Sequence, residues 1–221
     1  MAEFITLTAA DGHHFQAWVD GREDAKHGLV VIQEIFGVNS HIRHVCANFA
    51  AQGYRVVAPA LFDRTVRGTE LGYTADDVAR GRDLRGHVTD DAAMADVAAA
   101  AAYLGDRRKG IVGYCWGGTI AWWGATRSKA FQAAVGWYGG GIAGTRTEHP
   151  NAPVQLHFGE LDTGIPLTDV ELIHKAQPGV EIFIYPGAQH GFGCNDRGSY
   201  SAPDAAQAQE RTLAFFAKHL A

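Results

Sequence analysis

Short apolar runs alternate along this chain with stretches whose apolar residues recur every three or four positions, the rhythm of alternating strands and helices. Phe4–Thr8 and Phe15–Val19 flank Asp11-Gly12 and read as an opening hairpin. Gly28–Glu34 is an apolar run that ends in polar residues, as a strand buried on both faces does. Asn39-Ser40 is placed to cap a helix from Ile42 to Gln52, which Gly53 stops. Tyr54–Ala58 is the next strand, halted by Pro59. From Ala60 to Tyr73 the periodicity fails, which predicts a long loop beside a site and not a linker, since the rhythm then resumes. Helices are expected over Asp76–Arg85, Asp90–Leu104 and Trp116–Thr126, and strands over Gly110–Cys115, Ala133–Tyr138, Val154–Phe158 and Val180–Tyr185. A closing amphipathic helix, Ala202 to Leu220, has Leu213, Phe216 and Leu220 on one face. The pattern predicts one α/β domain over residues 1–221, with a mostly parallel central sheet and helices on both faces.

Composition narrows the function. A length of 221 residues suits one sizeable α/β domain better than two small ones. The formal net charge is −5, from 19 Lys+Arg against 24 Asp+Glu, and no stretch concentrates the cations. A nucleic-acid or anionic-membrane partner is therefore not expected, because no cationic surface is there to neutralise phosphates. The three cysteines form no CxxC, which disfavours a disulfide scaffold or zinc module. No apolar run approaches the ~20 residues that span a bilayer, and the opening MAEFITLTAADG lacks the apolar core of a signal peptide. The expectation is a cytoplasmic monomer that acts on a small molecule and needs no metal or organic cofactor.

The strongest local signal is Gly113-Tyr-Cys-Trp-Gly117, followed by Gly118. A strand that feeds a Gly-x-nucleophile-x-Gly turn into a helix is a nucleophile elbow, here with Cys115 at the nucleophile position. The helix start lends backbone N–H groups and a positive dipole end, both of which favour a thiolate. Two further strand ends carry reactive groups: Phe158-Gly-Glu-Leu-Asp162 and Tyr185-Pro-Gly-Ala-Gln-His190. The order nucleophile, acid, histidine is that of the α/β-hydrolase fold. In that arrangement His190 moves the proton, Asp162 fixes its tautomer, and Cys115 attacks an acyl carbon. The oxyanion needs two N–H donors, assigned to Trp116 after the nucleophile and to Ile35 after the third strand.

Gln33-Glu-Ile-Phe-Gly-Val-Asn39, the Cys115 elbow, Gly159-Glu-Leu-Asp162 and His190-Gly-Phe192 together resemble the dienelactone hydrolase family, the carboxymethylenebutenolidases. The resemblance runs from about Val30 to the final helix. It implies a Cys115–His190–Asp162 triad, a thioester intermediate, and a Glu34 that takes the thiol's proton when substrate binds. It also implies opening of a cyclic enol-lactone bearing a carboxylate, to give maleylacetate in aromatic degradation. One departure stands out: well-known members hold that carboxylate with two arginines, one of them four residues after the histidine, where this chain has Cys194. Arg197, Arg82 or Arg80 is then left to supply a cation, and Tyr73, Trp137 and Tyr138 are candidate pocket residues. Three alternatives remain open: a broader small-ester carboxylesterase, a non-catalytic binding protein on the same fold, or a thiol redox protein using Cys115 and Cys194.

Other signals carry less. His13-His14 and His41 with His44 lack a matching carboxylate or cysteine, so surface histidines are expected in place of a metal site. Gly139–Gly141 is followed by no Lys-Ser/Thr and reads as a loop passing near the site. Cys46 is expected in the core, and Cys194 as an exposed or neutral pocket residue.

Overall fold

The computed structural model describes residues 2–221. Those residues divide into two compact units, one ending at Ile111 and the other beginning at Val112.

In the first unit, β1 (Glu3–Thr8) and β2 (His14–Asp20) form the expected hairpin, with Gly12 in the left-handed region at its turn. β2 continues antiparallel onto β4 (Arg55–Pro59), which pairs in parallel with β3 (His27–Ile32). Pro59 closes β4 as its last residue, opposite Ala17. Leu29 to Ile32 and the whole of β4 are buried, as a strand covered on both faces requires. β3 ends two residues earlier than the apolar run suggests, so Gln33 and Glu34 lie in the segment that follows it.

Helix α1 (Ser40–Ala51) is capped by Asn39, whose side chain accepts from the Ile42 N–H at 3.2 Å. Its inner face holds His41, Ile42, Val45, Cys46 and Phe49. His41 is therefore buried, against the expectation of a surface histidine, because it shares the i, i+4 stripe of Val45. Residues 60–73 are an ordered loop. A short 3₁₀ turn, Leu61–Arg64, opens it, and the Asp63 carboxylate accepts from Gln16 N–H at 2.8 Å and Gly68 N–H at 2.9 Å. Helix α2 (Ala75–Gly86) begins with a reciprocal capping box between Thr74 and Asp77, and α3 (Asp90–Tyr103) with Thr89 as its cap. Strand β5 (Arg108–Tyr114) leads out of this unit.

The second unit holds α4 (Trp116–Arg127), β6 (Ala133–Trp137), β7 (Val154–Gly159), α5 (Leu167–Ala176), β8 (Glu181–Tyr185) and α6 (Ala202–Leu220). β6, β7 and β8 pair in parallel, with Trp137 opposite His157 and Gly159 opposite Tyr185. The loops that leave these three strands thus depart from one edge. On α6, Phe216 and Leu220 are buried as expected, but Leu213 is only half-buried and Thr212 takes a core position. The reason is polar: Thr212 Oγ1 accepts from Trp137 Nε1 at 3.2 Å and lies 3.2 Å from His157 Nε2. Among the described residues no helix is long and apolar enough to cross a membrane.

Candidate active site

Cys115 sits between the last residue of β5 and the first of α4, with φ 56° and ψ −117°. A residue with a Cβ in that sparsely populated region is strained, by about 1–3 kcal/mol. The strain is held by the surroundings. The Cys115 N–H donates to Trp137 O at 3.0 Å, and its carbonyl accepts from Gly118 N–H at 3.0 Å. The flanking glycines are a steric requirement: a Cβ on Gly113 would fall 1.9 Å from Gly117 O, and one on Gly118 2.5 Å from Trp137 O. Those approaches let α4 leave the strand abruptly, so the cysteine stands at the tip of the turn, half-exposed. Trp116 opens α4 and is buried.

Asp162 lies three residues past the end of β7. Its Oδ1 accepts from Gly164 N–H at 2.9 Å, which leaves Oδ2 to meet His190 Nδ1 at 2.7 Å. The Asp162 side chain is fully buried and that of His190 is 29% exposed. The His190 ring is also hydrogen-bonded to the Cys115 side chain. With Nδ1 held by Asp162, the nitrogen left to reach the thiol is Nε2. Burial opposes charge on this imidazole, but the bonds to Asp162 and Cys115 outweigh it and raise its pKa to about 10. The backbone of the histidine loop is fixed as well. Ser199 Oγ donates to His190 O at 2.7 Å, and the Phe192 ring stacks on Trp137 at 5.7 Å and meets Tyr185 at 4.8 Å.

The structure therefore brings Cys115, His190 and Asp162 together in one hydrogen-bonded row. Such a row can shuttle a proton to and from a nucleophilic sulfur. Tyr138, expected as a pocket residue, is fully buried, and its ring stands 5.1 Å from that of His190 in a T-shaped contact. Trp137 is buried too. Arg197 is half-buried, with its guanidinium against the Gly191 backbone: a Cβ on that glycine would fall 2.5 Å from Nη1. Cys194 is buried, which removes the exposed-thiol expectation; its N–H donates to Gly191 O at 3.0 Å within the tight histidine loop.

The remaining candidates lie in the first unit. Glu34 is fully buried, and Tyr73 donates its hydroxyl to Oε2 at 3.4 Å. Asn39 Nδ2 donates in turn to Tyr73 Oη at 3.1 Å and to Leu71 O at 3.1 Å. Ile35 is packed under α2, where a Cβ on Gly81 would fall 2.1 Å from the Ile35 carbonyl oxygen. Arg82 and Arg80 are exposed on α2, the latter paired with Asp83 at 2.7 Å.

Sequence reasoning missed a buried polar chain on β7. Arg211 donates to Tyr185 Oη at 3.1 Å, and Tyr185 Oη lies 2.8 Å from His157 Nδ1. The tyrosine proton therefore points to Nδ1, and Nε2 carries the ring's own proton toward Gln155 Oε1 at 3.0 Å. Gln155 Nε2 donates onward to Glu181 at 3.0 Å. Complete burial, with the nearby Arg211 charge, lowers the His157 pKa to about 3. The signal was present: Gln155 and His157 are polar at i, i+2 in an otherwise apolar strand.

Comparison with known proteins bears on this geometry. The model of the dienelactone hydrolase family matches residues 15–220. A Synechocystis protein provisionally named a carboxymethylenebutenolidase is 37% identical over 212 residues, 87% of this chain and 86% of its own length. The carboxymethylenebutenolidase of Pseudomonas putida is 33% identical over 230 residues, 98% of this chain and 97% of its own. The crystal structure of a provisionally named dienelactone hydrolase from Klebsiella pneumoniae superposes with a TM-score of 0.83 at 31% identity, covering 98% of this chain and 99% of that one.

Proposed function

This chain belongs to the dienelactone hydrolase family and is a carboxylic ester hydrolase of α/β-hydrolase fold, and from that premise we propose that Cys115 is its nucleophile, served by His190 and Asp162. The observation that carries the reading is the row Asp162 Oδ2–His190 Nδ1, 2.7 Å, with Cys115 bonded to the same ring from a strained elbow.

The chemistry runs in two halves. The Cys115 sulfur attacks the acyl carbon of a small ester or lactone, and the carbonyl electrons move to oxygen. Backbone N–H groups of Trp116 and Ile35 are the proposed donors to that oxyanion. On collapse the C–O bond breaks, the leaving oxygen takes the His190 proton, and a thioester remains. His190 then takes a proton from water, hydroxide attacks the thioester, and the acid leaves with the thiolate restored. A thiolate suits an enol-lactone, whose leaving enolate needs little acid assistance. Asp162 keeps the imidazole in the useful tautomer and balances its charge. Before that attack, Glu34 is assigned the thiol's proton when substrate binds, as the family resemblance implies.

A second reading concerns the substrate. The position four residues after His190 holds a buried, neutral cysteine, and Arg82 is exposed on α2. This favours a neutral small ester or lactone unless Arg197 supplies the cation. Hydrolysis of dienelactone and of a neutral aryl acetate, compared as kcat/KM in wild type and Cys115→Ala, tests both points. Loss of at least 10³-fold in the folded variant is expected for the removal of a nucleophile. Retained turnover in Cys115→Ala would sink the nucleophile assignment, and the ratio of the two substrates decides whether a carboxylate is recognised.

A further inference from the structure

Cys115 and Tyr138 are the two described non-glycine residues with positive φ, at 56° and 39°. The first is explained by the elbow. The second lies at the end of β6, just before Gly139-Gly140-Gly141, in a backbone conformation that glycine adopts without strain. The chain nevertheless keeps a large aromatic side chain there and buries it completely. Strain held at one position points to a task for that side chain.

The contacts say what the task is. Tyr138 N–H donates to His157 O at 2.8 Å, which pins the residue at the strand end, while the carbonyl of the preceding Trp137 receives the Cys115 N–H. One dipeptide thus anchors the nucleophile's backbone and aims the tyrosine ring. That ring meets His190 at 5.1 Å and 61°, and Phe192, two residues further along the histidine loop, at 5.6 Å and 71°. Asp162 holds the imidazole by a single hydrogen bond at Nδ1, about which the ring can still tilt. An aromatic wall removes that freedom. Because the ring is buried in the free protein, it serves the imidazole more directly than the substrate.

We infer that Tyr138 is a positioning residue, whose ring holds the His190 imidazole in line between Asp162 and Cys115. The inference rests on the proposed triad. The T-shaped contact at 61° sets one ring against the edge of the other. The other charged or titratable groups about the imidazole are Asp162, Cys115 and the Arg197 guanidinium lying over Gly191.

The test compares Tyr138→Phe, Tyr138→Leu and Tyr138→Gly. Leu keeps apolar bulk without a ring, and Gly suits the left-handed backbone should Leu fail to fold. Phe is expected to hold kcat within about 3-fold, since the ring remains. Leu or Gly is expected to lower kcat by 10-fold or more with KM within 2-fold, and to move the alkaline limb of kcat/KM to lower pH, since an imidazole free to tilt loses the hydrogen bonds that hold its proton. A rise in KM with kcat intact would overturn the assignment and make Tyr138 a substrate wall. Equal loss in Phe would overturn it in favour of the hydroxyl. A second readout separates this claim from the hydrolase mechanism: the pH dependence of Cys115 alkylation by iodoacetamide needs no turnover. Ring removal must change that profile and Phe must not. A profile identical in wild type and in Leu or Gly refutes the positioning role even if the triad stands, and an altered profile supports it even if Cys115→Ala keeps its hydrolysis.

Discussion

His190 holds a proton at neutral pH because two partners outweigh the burial that opposes it. In the proposed mechanism it serves first as the acid toward a leaving oxygen, and its charge stands beside the Cys115 sulfur. Replacing it by Gln removes the cation and keeps a hydrogen-bonding side chain. His190→Gln is therefore expected to slow alkylation of Cys115 at pH 7 by about 10-fold or more. An unchanged rate would mean that the imidazole does not govern the thiol. In wild type, kcat/KM is expected to hold its plateau through pH 9 and to fall as pH rises through about 10, where the imidazolium of the free protein is lost. That Cys115, His190 and Asp162 come together was legible in the sequence because each follows an apolar strand and has glycine close by. Tyr138 was not legible in the same way. Nothing in a Trp-Tyr pair at a strand end announces a positive φ; that sign is fixed by the hydrogen bond to His157 O and by the glycines after it.

At the scale of the elements, the sequence placed every strand to within two residues at its ends, since runs of Val, Ile, Ala and Phe bounded by Gly or Pro leave little choice. It did not offer α5, a ten-residue helix that buries only Val170 and Ile173. Two buried positions at i, i+3 are too faint a stripe to separate from loop. The polar core on β7 escaped for the opposite reason. Its members look misplaced singly and become satisfied only when Thr212, Tyr185 and Arg211 arrive from other elements. The elbow's packing yields a sharp contrast between two glycines. Gly118→Ala puts a Cβ 2.5 Å from Trp137 O, a backbone atom that cannot move aside without disturbing the Cys115 anchor. It is expected to destabilise by about 1–3 kcal/mol and to lower activity. Gly86, the last residue of α2, has no atom within 4 Å of an added Cβ, and Gly86→Ala is expected to be neutral or to stabilise by about 0.4–1 kcal/mol. Urea unfolding of the two variants measures this; equal midpoints would show that α4 is free to shift.

For the whole molecule, the two most strongly perturbed histidines, His157 and His190, set opposite limbs of stability against pH, and His219, lowered by burial and by Lys218, adds to the acid limb. An unfolded chain titrates both near 6.5. Folded His157 stays neutral down to about pH 3, so between 6.5 and 3 the unfolded state binds more protons and stability falls as pH falls. Folded His190 keeps its proton up to about pH 10, so between 6.5 and 10 the folded state binds more, and stability falls as pH rises. The two together place the stability maximum near pH 6.5. The urea midpoint is expected to be higher at pH 6.5 than at either 4.5 or 9.5. In His190→Gln the alkaline decline should flatten while the acid decline persists, because the groups sit in separate networks. An alkaline limb that survives the substitution would mean that another group carries it, and a midpoint that rises between pH 6.5 and 4.5 would mean that His157 accepts a proton without loss of its partners. The latter is hard to reconcile with a ring whose Nδ1 already receives the Tyr185 hydroxyl proton: a second proton there would force that hydroxyl to turn toward the Arg211 guanidinium, a donor facing a donor.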